Sequence, residues 1–297
     1  MARTLAFPKL PPYAVAMPLY RPVTVLTGAS SGIGRALAHV FAERGHELAL
    51  VARREPELAA LADEIAAANR KRPLVLSVDL GRSDAPARIS HELIARGLEP
   101  AVLINNAGFG LAGAAAALDR GEQLAMIDLN VRTLTDMSLR WIDSLTRHRG
   151  GILNVASVAG FMSGPNMAVY YATKAYVLSF SEALHRELKP RGVRVTVLAP
   201  GPVPTEFQAR AGIGRKLPRL LTVSAERVAR AGYRGLMGGK RLVVPGLGNK
   251  LVTFMPRVLP RSLMLRLVAA NQSGRPKARL IPWRRRMGCM AASRKRR

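Results

Sequence analysis

The sequence predicts an α/β fold: a doubly wound parallel sheet of about seven strands, helices on both of its faces, and a basic C-terminal extension. Short apolar runs alternate with amphipathic stretches up to about residue 245, as is typical of strands joined by crossover helices. A glycine-rich turn follows the first apolar run. With 297 residues and 48% apolar content, the chain can bury one substantial core. We therefore expect one domain with extensions.

Seven apolar runs are interpreted as strands because each is short and is separated from the next by a helical stretch. They cover residues 22–27, 47–52, 74–79, 101–104, 151–156, 193–198 and 241–244. The expected organisation is an N-terminal arm, the α/β domain, an amphipathic segment and a basic tail that we expect to be disordered. These parts cover residues 1–20, 21–248, 249–274 and 275–297.

A strand, a glycine-rich turn and a helix follow one another near the start of the domain. Pro22 to Thr27 is interpreted as a buried strand, Gly28 to Gly34 as a tight turn, and Arg35 to Gly45 as a helix ended by glycine. Glycines let the backbone approach a pyrophosphate closely, and a helix N-terminus offers it unpaired N–H groups. The pattern favours a dinucleotide site, with an ordinary strand-to-helix turn as the alternative.

Tyr170 and Lys174 are separated by four positions, and Ser157 lies thirteen residues before Tyr170. If this segment is helical, the phenol and the ammonium group lie on one face and can enter the same cleft. A nearby cation lowers the pKa of a phenol from its usual value of about 10. A phenol poised closer to neutrality suits proton transfer to or from an alcohol oxygen. On its own the spacing also occurs by chance in amphipathic helices.

Seven motifs in a fixed order make the chain similar to the compact, single-domain short-chain dehydrogenase/reductases over roughly residues 20 to 245. The motifs are Thr27 to Gly34, Asp79-Leu80, Asn105-Asn106-Ala107-Gly108, Asn130, Ser157, Tyr170 with Lys174, and Pro200-Gly201-Pro202-Val203 followed by Thr205. The resemblance implies a Rossmann-like fold and a nicotinamide cofactor. It also implies a homodimer or homotetramer.

The same resemblance implies a role for each motif. Tyr170 would be the acid/base, Lys174 would bind the nicotinamide ribose and lower the pKa of the tyrosine, Ser157 would hold the substrate oxygen, and Asn130 would support a water relay. Asp79 would receive the adenine amino group, or would only cap a turn. The implied cofactor contacts are Gly28, Ser30, Ser31, Gly32, Ile33, Gly34, Arg53, Asp79, Leu80, Asn106, Ala107, Gly108, Tyr170, Lys174, Pro200, Gly201, Val203 and Thr205.

Arg53 favours NADP(H) over NAD(H). The predicted strand from Glu47 to Ala52 should end beside the adenosine ribose, where a carboxylate would bind the 2′-hydroxyl. The sequence has Ala52 there, followed by Arg53 and Arg54. A missing carboxylate and a guanidinium group suit a 2′-phosphate. The alternative is a solvated pair of surface arginines.

A metal site and export are not expected. The five histidines have no ligand-like spacing with one another or with the single cysteine. Cys289 cannot form an internal disulfide, so a reducing, cytoplasmic location is the default expectation. Prolines at positions 8, 11 and 12 interrupt the N-terminal segment and leave no apolar core long enough for a signal peptide.

Positive charge is concentrated in the C-terminal part of the chain. From Gln208 onward, 23 basic residues accompany a single acid, Glu226, within a formal net charge of +27 for the whole chain. Residues 251–268 mix apolar side chains with spaced arginines, a pattern that suits an interfacial helix on an anionic membrane. The alternative is that this stretch packs over the substrate cleft or forms an oligomer contact.

The function expected from the sequence is an NADP(H)-dependent oxidoreductase that interconverts a carbonyl and a secondary alcohol on a small apolar substrate. The interpreted lid, residues 203–224, mixes apolar and basic side chains. The alternative is a non-catalytic protein with a nucleotide-binding fold that acts through its basic C-terminus on membrane or, less favoured, on nucleic acid. Within enzymes, an epimerase or dehydratase is second, although the larger domain of those enzymes is not evident here.

Overall fold

The computed structural model describes residues 20–213 and 220–272. Within these residues one sheet of seven parallel strands is present, which confirms the predicted fold class. The strands are β1 (Arg21–Thr27), β2 (Leu48–Ala52), β3 (Leu74–Ser77), β4 (Leu98–Asn105), β5 (Gly151–Val155), β6 (Arg194–Leu198) and β7 (Leu242–Val243). Their order across the sheet is β3-β2-β1-β4-β5-β6-β7.

The helices cover both faces of this sheet. They are α1 (Gly32–Glu43), α2 (Glu55–Ala67), α3 (Ala85–Ile94), α4 (Arg120–Ile127), α5 (Leu134–Arg140), α6 (Ile142–Arg147), α7 (Ala168–Leu188), α8 (Glu206–Arg210), α9 (Ala225–Met237), α10 (Leu247–Val258) and α11 (Arg261–Gln272). A π-helical turn, Asp128–Thr133, joins α4 to α5.

Alternation along the strands builds a separate core on each side of the sheet. In β2, Leu48 and Leu50 belong to one buried cluster, whereas Ala49 and Val51 belong to the other. Successive side chains of a strand point to opposite faces, so a strand that is apolar throughout serves both cores. The first cluster takes its helical residues from α1, α2 and α9, and the second takes them from α3, α5, α6 and α7.

Two strand boundaries differ by more than one residue from the sequence-based prediction. β3 ends at Ser77, before the predicted end at 79, and Asp79 lies in a turn where its Oδ1 accepts a hydrogen bond from the Gly81 amide at 3.0 Å. β4 begins at Leu98, before the predicted start at 101, because Leu98 pairs with Arg21 of β1. Pairing with a neighbouring strand, which the apolar pattern does not contain, sets these ends.

The position of the site follows from the strand order. β1 has β2 on one side and β4 on the other, so the direction in which the chain is wound reverses between β1 and β4. The loops after these two strands therefore diverge and leave a crevice at the carboxyl edge of the sheet. In open α/β sheets this crevice is where ligands bind.

The C-terminal segment forms two packed helices, α10 and α11. Val252 and Met255 of α10 and Met264 and Val268 of α11 line the large cavity at the carboxyl edge of the sheet. Packing over the cleft, one of the alternatives considered from the sequence, is therefore observed. The basic tail and residues 1–19 of the predicted arm lie outside the described residues, and the domain boundaries stay predictions.

None of the described helices combines the length and the apolar character needed to cross a bilayer.

Candidate active site

A cavity of about 1160 Å³ opens at the carboxyl edge of the sheet, in the crevice described above. Most of the predicted site residues line it, including Tyr170, Lys174, Ser157 and Arg53. Two predicted residues, Gly34 and Asn130, lie behind its wall instead. The cavity gathers residues from the loops after β1, β2, β3, β4, β5 and β6, which are far apart in the sequence.

The glycine-rich turn is held by backbone contacts that exclude side chains. Gly28 has φ +66°, a conformation that glycine adopts without strain. A Cβ placed on Gly34 would collide with the carbonyl oxygen of Gly28. The Asn106 side chain braces this turn, since its Nδ2 donates to the carbonyl oxygens of Thr27 and Gly28, each at 3.0 Å. These hydrogen bonds give Asn106 a structural role at the edge of the crevice.

Thr27 joins the two loops that border the crevice, a role that the sequence did not reveal. Its Oγ1 accepts hydrogen bonds from the backbone amides of Asn106 and Ala107, each at 3.0 Å, and donates to the Ile104 carbonyl at 3.2 Å. The buried hydroxyl therefore fixes the end of β1 against the end of β4. In the sequence, only the position of a threonine at the end of an apolar strand could have indicated this role.

The turn fits the pyrophosphate of a dinucleotide. α1 begins at Gly32 and its N-cap residue, Ser31, makes no side-chain cap bond. The first N–H groups of α1 have no partner within the helix, and the turn residues Gly28, Ser30, Ser31 and Gly32 line the cavity. Anions bind well at such a helix N-terminus. The glycine-rich turn, which we call the glycine cradle, and the uncapped N-terminus of α1 therefore fit the pyrophosphate of the dinucleotide that the fold implies.

Arg53 and Arg54 differ in their surroundings. Arg54 Nη2 contacts Ser30 Oγ at 3.1 Å and Glu206 Oε2 at 3.0 Å, and its Nη1 lies 3.5 Å from Glu57 Oε1. Arg53 is exposed and lines the cavity, and it forms no ion pair with any residue that the structure describes. Of the two guanidinium groups, that of Arg53 is therefore not neutralised by a protein carboxylate.

Helix α7 places Tyr170 and Lys174 on one face, as their spacing predicted. Both side chains are buried, with 8% and 5% of their surfaces exposed. Lys174 Nζ donates a 2.8 Å hydrogen bond to the Val155 carbonyl at the end of β5 and lies 6.0 Å from the centre of the Tyr170 ring. Ser157 follows β5, where its Oγ accepts from the Ala159 amide at 3.1 Å. The three side chains converge on one part of the cavity.

The pKa of Tyr170 differs from the expectation drawn from the sequence. Burial raises the pKa of this phenol to about 12, although a hydrogen bond with Ser157 acts in the opposite direction. Burial also lowers the pKa of Lys174 to about 8. The protein's own groups therefore do not produce the expected lowering of the Tyr170 pKa by Lys174. Loss of hydration dominates, and the Lys174 ammonium group is engaged by the Val155 carbonyl.

Buried hydrogen bonds of Asn130 connect the loop after β4 to helix α7. Asn130 lies in the π-helical turn and is 1% exposed. Its Oδ1 accepts from the Phe109 amide at 3.1 Å, and its Nδ2 donates to the Phe109 carbonyl at 2.9 Å and to Thr173 Oγ1 at 3.1 Å. These bonds position Gly108 and Phe109 beside the cavity. The implied water-relay role of Asn130 stays a prediction.

The part of the cavity beyond Tyr170 is mainly apolar. Phe207 contributes a ring whose centre is 5.5 Å from that of Tyr170, and the Arg210 guanidinium lies 4.4 Å from the centre of the Phe109 ring. Burial lowers the pKa of Arg210, and Arg53 and Arg54 lower it further. The remaining apolar lining comes from Leu111, Leu129, Met162, Met167, Ile213, Val252, Met255, Met264, Leu267 and Val268.

Helix α8 begins the predicted lid, residues 203–224. Thr205 caps the helix: its Oγ1 accepts from the Phe207 amide at 3.4 Å, and Gln208 Oε1 accepts from the Thr205 amide at 3.0 Å. This capping box fixes the chain directly after Pro200 to Val203, so Thr205 remains at the wall of the cavity. Residues 214–219 of the lid lie outside the described residues.

Two buried amides at the cavity have an oxygen that finds no hydrogen-bond partner among the described residues. Gln272, at the end of α11, donates from Nε2 to the Tyr171 phenol oxygen at 2.6 Å, while its Oε1 accepts no hydrogen bond from this part of the chain. Asn249 donates from Nδ2 to the carbonyls of Leu221 and Pro245, and its Oδ1 is unsatisfied in the same sense. Both residues line the cavity. Neither residue is predicted from the sequence, because single amides in an apolar helix carry no motif.

Within the described parts of the chain, no group of three or more His, Cys, Asp or Glu residues is placed to hold a metal ion.

Known proteins resemble this chain in both sequence and structure. A sulfoacetaldehyde reductase 2 from Chromohalobacter salexigens is 38% identical over 188 residues, which are 62% of this chain and 74% of that protein. A short-chain dehydrogenase from Sphingobium yanoikuyae, solved in complex with NADPH, has a TM-score of 0.69 and 29% identity, and the match covers 93% of this chain and 98% of the other. The bulky-bulky ketone specific alcohol dehydrogenase from Comamonas testosteroni has a TM-score of 0.66 and 26% identity, covering 94% and 97%.

The family model described as short chain dehydrogenase matches residues 22–216, which include the glycine-rich turn, Tyr170 and Lys174. These similarities support a nicotinamide cofactor and oxidoreductase chemistry on CH–OH or C=O groups. They agree with the geometry of the cavity, in which a dinucleotide cradle and a buried tyrosine share one crevice. The chain therefore belongs to the short-chain dehydrogenase family.

Proposed function

We propose that this protein is an NADP(H)-dependent oxidoreductase that interconverts a carbonyl and a secondary alcohol on an apolar substrate, with Tyr170 as the acid/base. The observation that carries the proposal is the convergence of Tyr170, Ser157 and Lys174 in the cavity that also contains the glycine cradle. The retention of this set does not favour the alternative of a non-catalytic binding protein.

The protein's own groups supply the proton chemistry. A phenol whose pKa is raised to about 12 by burial holds its proton through the neutral range, so Tyr170 is ready to donate to the oxygen of a bound ketone. Ser157, which shares a hydrogen bond with Tyr170, positions the same oxygen. The bound nicotinamide supplies the hydride. In the reverse direction Tyr170 must first lose its proton, and the hydrogen bond with Ser157, which lowers the pKa of the phenol, favours that step.

The cofactor contacts proposed from the sequence are consistent with the cavity. The cradle from Gly28 to Ile33 suits the pyrophosphate, while Asp79, Leu80 and the stretch from Asn106 to Gly108 border the same space. Lys174 is one turn from Tyr170 and is proposed to hold the ribose. The Pro200–Gly201 loop, Val203 and Thr205 form the opposite wall, where the nicotinamide is expected.

Arg53 supports the preference for NADP(H). Its guanidinium group lines the cavity after β2 and is exposed, whereas Arg54 is engaged by Glu206 and Ser30. A charge-assisted hydrogen bond to a 2′-phosphate contributes about 1.5–3 kcal/mol. We therefore propose that Arg53 binds the 2′-phosphate of NADP(H).

The substrate is proposed to be apolar because Phe109, Met167, Phe207 and the inner sides of α10 and α11 surround the space beyond Tyr170. Aromatic and aliphatic walls with a few convergent polar groups are typical of sites for small apolar ligands.

Assembly as a homodimer or homotetramer, a cytoplasmic location and peripheral contact with an anionic membrane are also part of the proposal. Exposed apolar side chains of α4 and α5, Leu124, Ile127 and Leu139, and Tyr176 of α7 support an oligomer contact beside the site.

The test is NADPH oxidation in the presence of ketones that form a chain-length series and a ring-size series. We expect turnover that improves with apolar size and that requires Tyr170. A protein that binds NADPH but reduces none of these ketones would contradict the proposed reaction. A preference for small charged ketones would contradict the proposed substrate class.

A further inference from the structure

Helix α10 carries a regular apolar stripe on the side that faces away from the cavity. Leu247, Leu251, Phe254 and Val258 follow one another at intervals of four, three and four positions, and 83%, 64%, 52% and 61% of their surfaces are exposed. These intervals place all four side chains on one face of a helix. A continuous exposed apolar patch marks an interaction site more often than isolated exposed apolar side chains do.

Helix α11 adds to this surface. Leu263 and Leu265 are 42% and 44% exposed, and α11 contacts α10. We call the four stripe residues of α10 and these two leucines of α11 the outer face. The outer face therefore spans two packed helices.

The opposite side of the same helices is already used by the fold. Asn249 and Thr253 of α10 are buried, and Met264 and Val268 of α11 are buried where they line the cavity. An ordinary surface helix has polar residues on the side away from the core. The residues of α10 that line the cavity are Asn249, Val252 and Met255, so packing against the cavity does not explain the exposed apolar stripe.

Cations surround the outer face and no acid accompanies them. Lys250, Arg257, Arg261 and Arg266 are exposed on these two helices. The sequence contains no Asp or Glu after Glu226, and ten basic residues follow between positions 275 and 297. A second copy of this chain would bring like charges together at the contact, which disfavours it. An anionic surface complements them.

We propose that the outer face docks on the surface of an anionic lipid bilayer. The apolar side chains enter the boundary between headgroups and acyl chains, as in interfacial amphipathic helices. The lysine and the arginines contact lipid phosphates, and such cations attract an anionic leaflet within a Debye length of its surface. Because the cavity lies beneath the same helices, an apolar substrate would reach it from the bilayer. That last consequence rests on the proposed reaction and substrate class, whereas the docking gives a surface to the proposed membrane contact and does not depend on the reaction.

The experiment is flotation of the full chain with two kinds of vesicle, one of phosphatidylcholine alone and one in which part of it is replaced by phosphatidylglycerol. We expect binding to the anionic vesicles that weakens with salt. The double variant Leu251→Ser/Phe254→Ser should bind at least about tenfold more weakly, since each residue loses an apolar side chain that the bilayer would bury. Both side chains are more than half exposed, so the fold should be retained, as a thermal melt would verify.

The matched control is Ile94→Ser on α3, where the isoleucine is 55% exposed and which should leave vesicle binding unchanged. Arg257→Gln/Arg261→Gln should reduce binding to anionic vesicles and its dependence on salt. The control for charge is Arg88→Gln/Arg186→Gln, which removes exposed arginines of α3 and α7.

Three results would overturn the proposal. The intact protein does not bind anionic vesicles, or the outer-face variants bind them as well as the intact protein does. The third result is that the intact protein does not bind vesicles and that light scattering shows the outer-face variants dissociating an oligomer. That result would assign the surface to a second copy of the chain. Vesicle binding is measured without substrate, so its failure is distinguishable from failure of the proposed reaction.

Discussion

The Gln272 side-chain amide donates a 2.6 Å hydrogen bond to the phenol oxygen of Tyr171 and so joins the end of α11 to the helix that carries Tyr170. Gln272 is 3% exposed and lines the cavity. The C-terminal helices are thereby fixed to the helix at the centre of the site. Anything that moves α11 should change the substrate space next to Tyr170.

We therefore predict that Gln272→Ala raises KM for an apolar ketone more than it lowers kcat. The hydrogen bond positions a wall of the substrate space and does not touch the reacting oxygen. Tyr171→Phe should have a similar effect, and the double variant should be less than additive by about 0.5–1.5 kcal/mol. The measurement is a double-mutant cycle on kcat/KM. Strict additivity would show that the two side chains act independently.

Tyr170→Phe is predicted to lower kcat by about 10²–10⁴-fold, the usual contribution of a positioned acid/base, because the variant lacks the transferable proton. NADPH binding, followed by fluorescence titration, should stay close to that of the unchanged protein. Tyr171→Phe is the matched control for kcat, since it removes a phenol oxygen one position along the same helix and is expected to act mainly on KM. If Tyr170→Phe retains more than about a tenth of the turnover, Tyr170 is not the acid.

Arg53→Ala is predicted to weaken NADPH binding about ten- to a hundredfold and to leave NADH binding nearly unchanged. The range follows from about 1.5–3 kcal/mol for a charged hydrogen bond and about 1.4 kcal/mol per tenfold change in affinity. Arg54→Ala is the matched control, because Arg54 is engaged by Glu206 and Ser30, and it should discriminate less between the cofactors. Equal losses for NADPH and NADH in Arg53→Ala would assign the phosphate to another group.

The local parts of the site were predictable from the sequence, and the long-range parts were not. The glycine-rich turn and the spacing of Tyr170 and Lys174 are encoded within one or two helical turns, so both were predictable, although α1 begins at Gly32, inside the stretch assigned to the turn. Gln272 and Tyr171 are 101 positions apart, and no periodicity relates them. The pKa of Tyr170 was likewise missed, because burial depends on packing from several segments while the spacing shows only the nearby lysine.

Gly34→Ala is predicted to weaken cofactor binding and to destabilise the fold by about 1–3 kcal/mol, the usual cost of overpacking. The added methyl group would collide with the Gly28 carbonyl, which is held by Asn106. Gly45→Ala is the control: Gly45 has φ +81°, and no atom of the described residues beyond its immediate chain neighbours lies within 4 Å of its added methyl group, so only backbone strain of about 1–2 kcal/mol is expected. Urea denaturation and NADPH titration separate the two variants, since Gly45→Ala should not change cofactor affinity.

Lys174→Met is predicted to stabilise the protein against unfolding at neutral pH, by an amount that declines as the pH rises. Burial lowers the pKa of Lys174 from 10.5 to about 8 in the folded state. Between these values the unfolded chain binds more protons than the folded protein, so the free energy of unfolding of the unchanged protein increases with pH across this window. Below pH 8 the cost of burying the charge is fully present. The shift corresponds to about 3 kcal/mol at most.

The measurement is urea denaturation of both proteins at pH 7 and at pH 10. The advantage of Lys174→Met should be largest at pH 7 and much smaller at pH 10, because methionine has no proton to lose. Tyr170 does not confuse the comparison. Its raised pKa, about 12, makes folding less favourable only above pH 10, and it does so in both proteins. An advantage that is the same at both pH values would show that Lys174 is not buried in its charged form at neutral pH.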